Sequence, residues 1–213
     1  MPRFSDIIVR STVTAFVVSA MSAASAGIDL TPSPSEYVAE GMKHQQLTFV
    51  QDKQRIEYEL PAGWKYDGGG AQVHLTPPNK KFAEATITAA PLAKPEALDE
   101  NTIKVLEQQF VAALPPGSQF VKIEEEIPNS VLLSGNPSFE VTASYQLNGE
   151  KFLKSALFID LRDTQLVFRL SARKDDFPAL HREFKSSIFS WHWIDSEPGH
   201  SAVAKEAEQP AAR

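Results

Sequence analysis

Cysteine is absent from all 213 residues. That excludes disulfides, thiolate metal sites, a cysteine nucleophile and the lipid-modified cysteine of bacterial lipoproteins. Blocks of basic residues are missing too. With a formal charge of −6 and a pI near 5.4, the composition argues against nucleic acid or an anionic membrane as partner. No G-x-S-x-G elbow surrounds any serine, so a serine hydrolase has no support. Gly68-Gly69-Gly70 lacks the lysine and helix start that phosphate cradling needs, and reads as a turn. No two of the five histidines have ligand spacing on one element. His181 and Glu183, two apart on a predicted helix, point apart. His74, His192 and His200 also read as surface residues. Glu124-Glu125-Glu126 reads as a solvated edge. No catalytic residue, metal or cofactor is expected.

What is present begins with an export signal. Arg3 and Arg10 precede a mostly apolar run over 13–21, and Ala24-Ser25-Ala26 supplies a small-residue cleavage pattern. Residues 1–26 are therefore expected to be a secretory signal peptide, too short and too rich in Ser and Thr for a membrane span. The product is expected in the periplasm, or secreted. Residues 27–45, with Pro32 and Pro34, read as an extended leader. Residues 46–193 form one α+β domain, and 194–213, dominated by Ala and Glu without large apolar residues after Val203, are expected to be disordered.

Within the domain, short strands are expected near 47–50, 55–60, 71–76 and 85–90, with a turn at 67–70. A helix follows, opened near Pro95 and Asp99 and stopped by Pro115-Pro116-Gly117, with Ile103, Leu106, Phe110 and Leu114 in one stripe. Residues 120–126 alternate as a strand, and 131–133 read as another. The centre of the chain is a meander over 139–146, 151–160 and 164–172. A two-residue loop at Arg162-Asp163 pairs Leu157 with Phe168 and sets Leu153, Leu157, Ile159, Leu166, Phe168 and Leu170 on one face. At the other turn, a bulge with Gly149 left-handed would bring Phe139, Val141, Ala143 and Tyr145 onto that same face. A second helix, capped by Asp175 or Asp176, carries Phe177, Leu180, Phe184, Ile188 and Trp191 as its buried stripe.

Three stretches resemble the PsbP/Mog1-like superfamily. They are the strand into Leu60-Pro61-Ala62-Gly63-Trp64, the Val73-His74-Leu75 strand, and the closing Phe184-Lys185-Ser186-Ser187-Ile188-Phe189. The resemblance spans residues 46–193. It implies an α/β/α sandwich over an antiparallel sheet of about six or seven strands flanked by helices. It also implies a role of the accessory or binding kind, with no catalytic residues to carry over.

Trp64, Tyr66 and Trp193, aromatics at element ends, are the candidate partner-binding residues. The expected function is an exported, non-enzymatic accessory domain that binds another envelope protein. A small apolar-ligand carrier is the alternative, and a hydrolase or metal enzyme without a recognisable motif ranks below both. A wide apolar cavity between sheet and helix would favour the carrier. A filled core with an exposed aromatic patch would favour the binding domain.

Overall fold

The computed structural model describes residues 27–51 and 54–195. The expected signal peptide (1–26) and the tail beyond Asp195 lie outside the described residues. In chain order the elements are β1 (Asp29–Ala39), β2 (Met42–Gln51), β3 (Gln54–Glu59), β4 (Lys65–Gly69), β5 (Gln72–Thr76), β6 (Glu84–Pro91), α1 (Glu100–Ala112), β7 (Gln119–Pro128), β8 (Ser138–Leu147), β9 (Glu150–Asp160), β10 (Thr164–Arg173), α2 (Phe177–Ile188) and β11 (His192–Asp195). They build an α+β fold around a seven-stranded sheet in the order β4-β5-β6-β10-β9-β8-β7. A second sheet, β1-β2-β3-β11, has four strands, and every pairing in both sheets is antiparallel.

The leader expected over 27–45 is instead structural. β1 pairs along β2 across a Glu40-Gly41 turn with φ of 52° and 77°, and Ile28 and Leu30 are buried. Pro32 and Pro34 misled the sequence reading, because on an edge strand a proline withholds no ladder bond that a neighbour needs. The glycines expected as a loop at 67–70 also lie largely in a strand, β4, which pairs with β5 across Gly70-Ala71. β1 crosses them so closely that a Cβ on Gly69 would sit 3.1 Å from Thr31 Oγ1 and 3.3 Å from Thr31 Cα. Here the Leu30 amide donates to the Gly70 carbonyl at 2.7 Å, and the Gly70 amide donates to Thr31 Oγ1 at 3.0 Å. Residues 131–133 form no strand, only an isolated bridge between Leu133 and Asn136.

The central meander divides the core in two. Across Arg162-Asp163 the register is the expected one, with Leu157 opposite Phe168 and Ile159 opposite Leu166. At the other turn the bulge is absent. Leu147 faces Glu150, and Asn148 and Gly149 have φ of 51° and 84°, a two-residue type I′ turn. Val141 therefore faces Ala156 and Tyr145 faces Phe152, so Tyr145 and Leu157 lie on opposite faces. The expected single apolar face is wrong because both faces of this sheet are covered. α1 packs Leu106 and Phe110 on Phe139, Val141, Ala143, Ala156, Phe158 and Val167. On the other face α2 and the four-stranded sheet close over Leu157, Ile159, Leu166, Phe168 and Leu170.

Both helices follow from their sequences. Asp99 caps α1 by accepting from the amides of Asn101 and Thr102, and Lys154 Nζ donates to the Ala113 carbonyl at the other end at 2.6 Å. Asp176 stands at the N-cap of α2, but its side chain makes no cap bond and pairs instead with Lys80 at 2.5 Å. The α2 stripe of Phe177, Leu180, Phe184 and Ile188 is buried, with Trp191 just beyond.

Candidate functional site

The three aromatic candidates belong to, or close, the core between the sheets. Trp64 is 2% exposed, stacks on Phe184 at 6.0 Å, and donates from Nε1 to Glu183 Oε2 at 3.2 Å. It is not available to a partner. Phe184 meets Phe168, and Phe168 meets Trp191, which also contacts Phe49, Tyr58 and Trp193. Trp193, half-buried on β11, donates to Gln51 Oε1 at 2.9 Å; Tyr66, half-buried on β4, packs on the same core. This continuous aromatic row runs through the core between the two sheets.

A polar cluster lies under α2 on the outer half of the sheet. The I′ turn sends the even-numbered residues of β8 to the α2 face, so Glu140 points beneath the helix and is 4% exposed. His181 Nε2 donates to its Oε1 at 2.6 Å, and Lys185 Nζ to its Oε2 at 2.7 Å. The Ser130 hydroxyl donates to the same Oε2 and accepts from Lys185 Nζ at 2.6 Å. Burial alone would push the Glu140 carboxyl up. The bonds from His181, Lys185 and Ser130 outweigh it and hold the group at about 2. His181 is therefore not an ordinary surface histidine. The one signal for this pairing in the sequence is a carboxylate set between the apolar Phe139 and Val141.

Beside this cluster a groove of about 990 Å³ opens between β7 and the first turns of α2. Thr142, Ser144 and Leu153 contribute to its lining, and Phe177, Pro178, His181 and Arg182 line it from α2. Its other wall comes from β7, whose register against β8 shifts between Ile123 and Glu125. That bulge turns both Glu124 and Glu125 to the groove. Two of the three glutamates expected as a plain solvated edge thus line it. Glu124 accepts from Lys122 at 2.7 Å and from Ser144 at 2.6 Å; these bonds, with a smaller contribution from the charge of Lys174, lower its pKa. At the mouth stands Phe120, 80% exposed and held at φ 52° next to a second register shift. A bulky residue with positive φ is uncommon, and such strain is concentrated at functional positions. Sequence reasoning missed Phe120, because it looks like any strand residue.

Among the described residues, no group of three His, Asp or Glu side chains could hold a metal ion. None of the described helices is long and apolar enough to cross a membrane.

Fold and site together define an antiparallel α+β sandwich with an aromatic core and an open groove. No protein-family model matches the sequence, and a search of curated proteins finds no match. Among solved structures, the chain is similar to cyanobacterial PsbP (CyanoP) from Synechocystis sp. PCC 6803, at 13% identity and a TM-score of 0.49, covering 84% of this chain and 99% of that one. It is similar also to LpqN of Mycobacterium tuberculosis, described as involved in cell envelope biogenesis, at 16% identity and a TM-score of 0.46, covering 78% and 91%. A Pseudomonas aeruginosa protein of unknown function matches at 14% identity and a TM-score of 0.41, covering 73% and 93%.

Proposed function

We propose that this protein is an exported, non-enzymatic accessory domain of the cell envelope that binds another envelope protein through the groove between β7 and α2. The observation that carries this reading is Phe120, an exposed aromatic presented in a strained backbone at the mouth of an open groove. Exposed aromatics beside concave surfaces are characteristic anchors of protein interfaces. The aromatic row packed between the sheets and α2 favours the binding reading over the carrier. The polar cluster supports a structural use, since the Glu140 carboxylate already accepts from three donors and Ser130 is committed to it. Export is supported by the signal-peptide pattern of residues 1–26.

The test is a photo-crosslinking amino acid at position 120, expressed in the native host. The expected result is a discrete adduct with one envelope protein, recovered in the periplasmic or secreted fraction. Phe120→Ala should fold normally and fail to recover that protein on co-purification. No protein adduct, together with normal complementation of a deletion strain by Phe120→Ala, would defeat the reading.

A further inference from the structure

The two walls of the groove carry opposite charge. Glu124 and Glu125 stand on β7, Lys174 and Arg182 on the side of β10 and α2, and Lys151 of β9 adds a third cation to the lining. Glu125, Lys174 and Arg182 form no ion pair within 4.0 Å with any described residue, whereas Glu124 is held by Lys122 at 2.7 Å and also feels the charge of Lys174. Between them lie Phe120 at the mouth and the apolar side chains of Leu153 and Phe177. A ligand with one sign of charge is attracted to one wall and repelled by the other, which disfavours a fatty-acid-like anion and a simple polycation alike. A segment of polypeptide can present both signs. In an extended chain alternate side chains fall on one side about 7 Å apart, so one apolar and two charged groups can face the groove together.

We infer that the groove takes an extended peptide segment in which an apolar side chain is flanked by an acidic residue toward Arg182 and Lys174 and a basic residue toward Glu125. This rests on the protein-binding reading above and specifies the chemistry of the partner. The apolar group seats against Phe120, Leu153 and Phe177. The charges fix direction and register more than they add affinity, as they do at other interfaces.

The experiment selects a phage-displayed random peptide library on the purified full chain, then measures a lead peptide by fluorescence anisotropy. Enrichment of peptides with the acid–apolar–base pattern is expected. Arg182→Glu should weaken the lead peptide at least tenfold, and changing the peptide's acidic residue to lysine should restore binding to that variant. Glu125→Lys should behave in the mirror sense. Charge-swap rescue is a readout that a merely structural role would not give. Should Arg182→Glu fail to fold, Lys174→Glu carries the same test. Peptides enriched for a single sign of charge, or charge reversals without effect, overturn the inference. No enrichment at all, with the position-120 crosslink intact, overturns the peptide class and leaves the protein-binding reading standing. Failure of both removes the reading as well.

Discussion

Glu140 is ionised where desolvation opposes its charge, and only its three donors make that state tenable. Its folded pKa of about 2 lies below the ordinary unfolded value of about 4.3. A depressed carboxylate contributes stability that is fully present above the unfolded value and is lost as pH falls through the folded one. Urea midpoints of the wild type should therefore decline between about pH 5 and pH 2. In Glu140→Gln that decline should flatten. At neutral pH the same variant leaves Lys185 and His181 without their anion; both are partly exposed, so the cost should be about 1–3 kcal/mol, below that of a fully buried pair. A variant with unchanged pH dependence would mean that other carboxylates control acid unfolding. Phe168, 1% exposed and touching both Phe184 and Trp191, tests the other kind of residue. Phe168→Ala should cost about 3–5 kcal/mol in chemical denaturation, because the aromatic row cannot collapse around so large a gap.

At the scale of elements, the two turns of the central meander show what a sequence can and cannot specify. Arg162-Asp163 was legible because the strands on either side of it share their apolar rows, and only one register aligns Leu157 with Phe168. Asn148-Gly149 was recognised as a turn, yet its register was misread. The alternation of β8 marks the α1 face, whereas that of β9 and β10 was matched to the α2 face. Helix stripes and caps were readable because they are local, as Asp99 and the Phe177–Leu180–Phe184 spacing show. The groove was not readable. Its carboxylate wall depends on a bulge in β7, and its cations come from separate elements, so no local pattern announces it. The turn itself gives a test. A Cβ on Gly149 meets nothing within 4 Å, so Gly149→Val should be penalised only through its φ of 84°. Positive φ is hard for a β-branched residue, and a loss of about 1–2 kcal/mol in thermal or urea unfolding is expected. A neutral result would show that the hairpin relaxes to a different turn.

For the molecule as a whole, the consequential feature is that both faces of the seven-stranded sheet are covered, one by α1 and the other by α2 with a second sheet. β1 is the outermost part of that second layer, and from sequence it lay in a stretch, 27–45, read as an extended leader. In the structure β1 and the residue before it bury Leu30 and Ile28, and the strand covers the β4–β5 turn through its bonds to Gly70 and pairs the edge of β2. Two buried aliphatic side chains at about 1.5–3 kcal/mol each amount to about 3–6 kcal/mol, a large share of a typical domain's stability. Deleting residues 27–39 should therefore lower the unfolding midpoint sharply. It should also promote association, since β2 would then present unpaired backbone groups beside Val50, already exposed. A chain beginning at Gly27 is the proper control and should melt as one cooperative transition. Differential scanning calorimetry with light scattering distinguishes the outcomes: if the deletion variant melts at the control's temperature without aggregating, residues 27–39 behave as part of the extended leader read over 27–45, and the packing of Leu30 contributes little.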